Sequence, residues 1–134
     1  MIRTKATTAA GYWVLAILFL GAVALAILVL SAPASAAGAA KTTLTIRAQG
    51  LDLSGTVQSS RGSCLGNRNI KLYKQQGQEQ RPGSDPLIAS DTSERQGGRG
   101  EWSTGNTGMR GKFYVRTGKV PGCTGAASKT IRAR

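Results

Sequence analysis

The chain has 134 residues, with 18 Lys and Arg against 6 Asp and Glu, no histidine, and a formal net charge of +12. That length holds one domain of ordinary size, and the lack of histidine excludes Ser-His and Cys-His catalytic pairs and every His-ligated metal site. Only 5% of residues are aromatic, which argues against a base-stacking platform.

In chain order, Arg3 and Lys5 precede an uninterrupted apolar run over 14–30, and 31–40 is small-residue sequence. That stretch contains the triplets Ala34-Ser35-Ala36 and Ala37-Gly38-Ala39. The order is the three-part pattern of a secretory signal peptide, with two A-x-A cleavage options. The run exceeds the roughly 7–15 residues of a usual signal and nears the roughly 17–25 of a spanning helix. An uncleaved single-span anchor over 14–30 is therefore the alternative. In both cases the basic residues hold the N-terminus inside and send the remainder out. No arginine pair precedes the run, so the general secretory route is expected. The expected organisation is a signal peptide or anchor over 1–39 and one exported domain over 40–134.

Subtracting Arg3 and Lys5 leaves 16 basic and 6 acidic residues, a net +10, on the exported part. Its apolar residues alternate. Leu44 and Ile46, Ile70 and Leu72, and Phe113 and Val115 each flank a residue of opposite parity. Period two marks strands with one buried and one wet face. Strands are predicted over 42–48, 53–58, 69–74, 86–91, 101–104, 111–117 and 127–132. Turn chemistry separates them at 61–63, 66–67, 81–86, 97–100, 105–108 and 121–122, and 75–80 reads as a polar hairpin end or mobile loop. The expected fold is all-β: a single small antiparallel β-sandwich of about seven strands, immunoglobulin- or prealbumin-like.

Two patterns within these strands resemble a known family. Leu53-Ser54-Gly55-Thr56-Val57, followed by Asn69-Ile70-Lys71-Leu72-Tyr73, is similar to the opening G-x-V strand and next strand of transthyretin-like or carboxypeptidase-regulatory-like modules. These are close in plan to the CnaB-type modules of bacterial surface proteins. Asp91-Thr92, Gly100-Glu101-Trp102 and Gly111-Lys112-Phe113-Tyr114-Val115 are similar to the family's T-[DN]-x-x-G-x-aromatic turn and G-x-[YF]-x-[VA] strand. Here Asp91-Thr92 inverts the usual order and the turn is longer. The resemblance spans about 42–132 and implies a small exported module that presents or binds and does not catalyse. No Lys–acid–Asn set can be assigned, so the isopeptide chemistry of some such modules is not carried over.

The candidate sites are few. The acids between Asp85 and Glu101 lack the D-x-D-x-D-G spacing of a calcium loop and read as solvated loop charge. A nucleophile at Ser54 or Ser103 would lack a histidine base. Neither catalytic residues nor metal or cofactor are expected. Trp102 reads as a core anchor. The positive charge is the strongest chemical feature, since it attracts polyanions and anionic surfaces; its other reading is solubility and edge-strand protection. The candidate polyanion-binding residues are Arg47, Lys71, Arg116, Lys129 and Arg132, with Tyr73 and Tyr114 as the exposed rings. Expected partners are an anionic envelope polymer or surface protein, with no specific nucleic acid and membrane contact only through 14–30 if uncleaved.

Three functions follow as expectations. The first is a secreted non-catalytic module acting in binding or structure at the cell envelope. The second is a polyanion-binding protein for acidic polysaccharide, envelope polymer or lipid headgroups. The third is an inhibitor or toxin-like protein acting on a partner, for which no apolar rigid loop stands out. Cys64 and Cys123 are the only cysteines. On the exported side an oxidising compartment favours their pairing; two thiolates alone make a poor zinc site, and two free thiols are the remaining case.

Overall fold

The alternating runs resolve into ten strands in a computed structural model that describes residues 38–134. The signal-or-anchor reading, apart from its last two residues, lies outside the described residues. The strands are β1 (Thr42–Leu44), β2 (Arg47–Gln49), β3 (Asp52–Ser59), β4 (Asn69–Gln75) and β5 (Leu87–Thr92). They continue with β6 (Glu94–Gln96), β7 (Arg99–Asn106), β8 (Gly111–Thr117), β9 (Ala126–Ala127) and β10 (Ile131–Ala133). All strand pairs are antiparallel. One sheet has the order β1-β3-β7-β6 with β2 also on β3; the other has β10-β8-β4-β5 with β9 also on β8. Leu44, Leu53, Val57 and Trp102 from the first sheet meet Ile70, Leu72, Phe113, Val115 and Ala133 from the second in one core. The fold is an all-β sandwich, as the alternation predicts.

Ten strands replace the predicted seven because side chains interrupt two ladders and a turn is tighter than expected. The predicted strand 42–48 breaks between β1 and β2, where the Trp102 indole Nε1 donates to the Thr45 carbonyl at 3.2 Å. The predicted strand 127–132 breaks at Ser128, whose hydroxyl accepts from the Val115 N–H at 2.9 Å in place of a backbone partner. The predicted loop 97–100 shrinks to Gly97-Gly98, with Gly97 at φ 59°. The shorter turn lets β6 pair Gln96 with Arg99. Between β5 and β6 the chain changes sheets at Ser93, which is buried and donates its hydroxyl to the Leu65 carbonyl at 2.8 Å.

Gly55 faces Trp102 across the β3–β7 ladder. A Cβ there would lie 2.8 Å from the Trp102 ring and would collide with the Thr45 carbonyl. Neither neighbour can give way, since the indole and that carbonyl hold each other. Gly55→Ala is expected to destabilise the domain by about 3 kcal/mol, at the upper end of overpacking effects. An unchanged urea midpoint would contradict this packing.

Candidate functional site

The outer face of the second sheet carries a cluster of basic residues with no carboxylate among them. Lys71 on β4 and Arg116 on β8 are direct cross-strand partners, so both side chains stand on one face. Two residues further along, Tyr73 pairs with Tyr114, and their rings stack at 5.3 Å with 13° between planes. Lys71, Tyr73 and Arg116 line an open groove of about 440 Å³ with Asn69 and Lys119. No carboxylate lines it. Like charges held across a ladder repel each other, and a bound anion would relieve that repulsion.

The first sheet has a groove of about 500 Å³ on its own outer face, but its charges oppose one another. Arg47 and Arg99 stand there among Asp91, Glu94 and Glu101. Arg99 bonds Glu101 at 2.7 Å, while the Arg47 Nε donates to the Ser54 hydroxyl at 3.1 Å. The five predicted polyanion residues are thus divided. Lys71 and Arg116 are adjacent, whereas Arg47 belongs to the other sheet. Arg132 lies opposite Lys112 on the same outer face, about 13 Å along the strand from the Arg116 level. Lys129 is exposed in the β9–β10 connection. Lys119, in the loop after β8, completes the basic groove although no periodicity or motif marks it.

The loop over 76–86 separates Arg132 from the Lys71–Arg116 pair. It folds back over the sheet and is tied down by Gln80, which donates to the Ser128 carbonyl and the Thr130 hydroxyl, each at 2.9 Å. Lys112 donates to the Gly77 carbonyl. Asp85 is buried and accepts from the backbone N–H of Arg81 at 2.7 Å, of Gln76 at 3.1 Å, and from the Tyr114 hydroxyl at 2.8 Å. Two expectations are corrected here. Tyr114 is fully buried, not an exposed ring, because this loop covers it. Asp85 is a buried latch, not solvated loop charge. Asp52, Asp91, Glu94 and Glu101 lie in strands.

The latch has a pH signature. The Arg81 and Gln76 N–H bonds hold the Asp85 carboxyl below its ordinary value of 3.8. Its stabilisation is complete above that pH and is lost as pH falls through the lower folded value. Burial, and then the bond to Asp85, raise the Tyr114 hydroxyl above its ordinary value of 10.0. That contribution is complete below pH 10.0 and is lost as pH rises. Stability should be flat with respect to this pair between those limits. Tyr114→Phe should lose about 1 kcal/mol at neutral pH and flatten the alkaline decline, read from urea midpoints across pH. An alkaline limb unchanged in the variant would refute the latch.

Arg68 anchors the end of the sandwich where the groove closes. Its side chain is 1% exposed, and neither ion pair among the described residues includes it. One guanidinium nitrogen donates to the Thr42 hydroxyl at 3.0 Å and the Cys64 carbonyl at 3.3 Å. The other donates to the Gly118 carbonyl at 2.8 Å and the Thr124 carbonyl at 2.9 Å. Burial lowers the guanidinium pKa from its ordinary 12.5, yet an arginine stays charged at any physiological pH. Gly118 and Thr124 bracket the loop that presents Lys119. The same loop is held by a Cys64–Cys123 disulfide with Cα atoms 5.7 Å apart, joining the turn before β4 to the segment before β9. A disulfide fits an oxidising, extracytoplasmic compartment.

Among the described residues no three His, Cys, Asp or Glu side chains group at metal-binding distance, and no helix is long and apolar enough to cross a membrane. No protein-family model matches this chain, and no curated protein matches it.

Proposed function

We propose that this chain is an exported, non-catalytic β-sandwich module that binds anionic components of the cell envelope. The observation that carries this reading is the cross-strand pair Lys71–Arg116 in a groove whose charged lining residues are all basic. Resemblance to transthyretin-like modules and the signal-like pattern over 1–39 support the same assignment. The rigid sheet supplies the geometry: two cations stand side by side on paired strands, so their backbone spacing is set before a polymer arrives. The remaining net positive charge draws polyanions toward the domain from beyond contact distance.

The test is co-sedimentation of the unreduced protein with envelope fragments at increasing salt. Binding should weaken steeply as screening increases. Lys71→Glu with Arg116→Glu should reduce it at least about tenfold, since each basic residue near an anionic surface contributes about 1 kcal/mol. The same reversal at Lys129 and Arg132 should have the smaller effect. Equal effects from the two pairs would reduce the groove to general surface charge and overturn the proposal.

A further inference from the structure

The basic groove is not made of charge alone, and its uncharged lining narrows the ligand. Tyr73 stands at one end of the Lys71–Arg116 pair, half-buried, with its ring backed by Tyr114. Tyr114 cannot move aside, because its hydroxyl is held by Asp85 under the 76–86 loop. Leu87, 54% exposed, pairs with Tyr73 from β5 and extends the apolar surface. The result is an apolar patch, with Tyr73 held in place before any ligand arrives, next to cations at Lys71, Arg116 and Lys119. Asn69 adds a neutral side chain with both donors and an acceptor.

We infer that this groove takes a short run of an acidic polysaccharide, one sugar ring lying against Tyr73 and its anionic groups meeting Lys71, Arg116 and Lys119. The inference rests on the envelope-binding reading above and specifies its ligand. A pyranose ring presents C–H groups on a face and hydroxyls on its edge, which suits an apolar ring beside an amide. A ringless polyanion would leave the Tyr73 ring wet. Single-stranded nucleic acid needs successive rings for successive bases, and the burial of Tyr114 leaves one. A lipid surface calls for a broad apolar face to enter the headgroup boundary. Leu87 and Met109 are the exposed large apolar side chains among the described residues, and Met109 lies away from the groove on the β7–β8 turn. Because Tyr73 is already immobilised by its stack, ordering it on binding adds little entropic loss.

The experiment is calorimetric titration of the unreduced protein with a short oligogalacturonate, a neutral maltooligosaccharide, inorganic polyphosphate, a single-stranded DNA oligomer and anionic lipid vesicles. Oligogalacturonate should bind most tightly and the neutral sugar should not bind. Tyr73→Ala should weaken oligogalacturonate about fivefold, the contribution of one apolar contact face, and leave polyphosphate unchanged; Tyr73→Phe should restore the affinity. Lys71→Ala with Arg116→Ala should weaken both polyanions. Thermal midpoints of each variant show whether the fold is intact, and the Phe variant keeps the test valid if the Ala variant is loosened. Equal loss of both polyanions in Tyr73→Ala, no loss of either, or tighter binding of DNA or vesicles would overturn the acidic-sugar inference and leave the basic groove standing. Indifference of every polyanion to the Lys71–Arg116 change would remove the underlying reading as well.

Discussion

Replacing Cys64 and Cys123 together by serine is expected to lower unfolding stability by about 4 kcal/mol. The bridge spans a sequence separation of 59, and closing a loop of that size restricts the unfolded chain by about that amount in the chain-entropy treatment. A domain this small has a total net stability of about 5–15 kcal/mol, so the staple is a large fraction of the whole. The thermal midpoint should fall by about 20 °C, and reductant should lower the native protein to the same midpoint. Without the bridge, the segment carrying Lys119 is left with its hydrogen bonds to Arg68, Arg61 and Ala40, so groove affinity should fall before the sheets melt. Alkylation of the unreduced protein should label neither thiol. Two labelled thiols, or equal midpoints with and without reductant, would refute the bridge.

Much of the sandwich is legible in the sequence because its core strands obey strict alternation. Ile70 and Leu72 on β4, and Phe113 and Val115 on β8, face inward at the predicted parity, and Leu53 and Val57 on β3 face inward with them. The predicted strand bounds at β4 and β8 agree with the observed ones within a residue. What alternation cannot show is where a side chain takes over a backbone bond. Trp102 at the Thr45 carbonyl and Ser128 at the Val115 N–H each cut a ladder that period two would continue. Tyr114 illustrates the same limit from the other side: its parity is outward, and only a loop folding back from 76–86 buries it.

The candidate site is legible only in part, for a related reason. Lys71 and Arg116 alternate with core residues, so both can be assigned to an outer face. That they are neighbours depends on β4 pairing β8 across some 45 residues of chain. Register over such distances is set by the core as a whole and is not written at either position. Lys119 sits on a loop whose path depends on Cys123 and Arg68. Arg68 itself carries a usable signal. It shares parity with Ile70 and Leu72, so extending the β4 alternation by two residues points its side chain inward. Its position in Asn67-Arg68-Asn69, amid turn residues, hides that signal behind the expectation of a surface base.

Arg68→Ala should destabilise the domain by about 4 kcal/mol, comparable with loss of the disulfide. The change removes the donors for the Cys64, Gly118 and Thr124 carbonyls and the Thr42 hydroxyl, and each buried acceptor left bare costs about 1–3 kcal/mol. It also leaves a void the size of the side chain. Opposing both is relief from burying a charge without a carboxylate, and from the guanidinium Nε, which has no hydrogen-bond partner. Arg68→Met separates these effects. It fills most of the volume, removes the charge and still strips the carbonyls, so its loss should be about 2 kcal/mol. Arg68→Lys keeps the charge, but a compact ammonium cannot reproduce the planar fork that reaches both sides of the loop, and it should fall between the two. Urea unfolding of the three variants, with the bridge intact, reads all of this directly. If Arg68→Met were as stable as the native protein, relief of charge burial would offset every lost hydrogen bond. The guanidinium would then be a tolerated burial and not the tie that holds Lys119 in the groove.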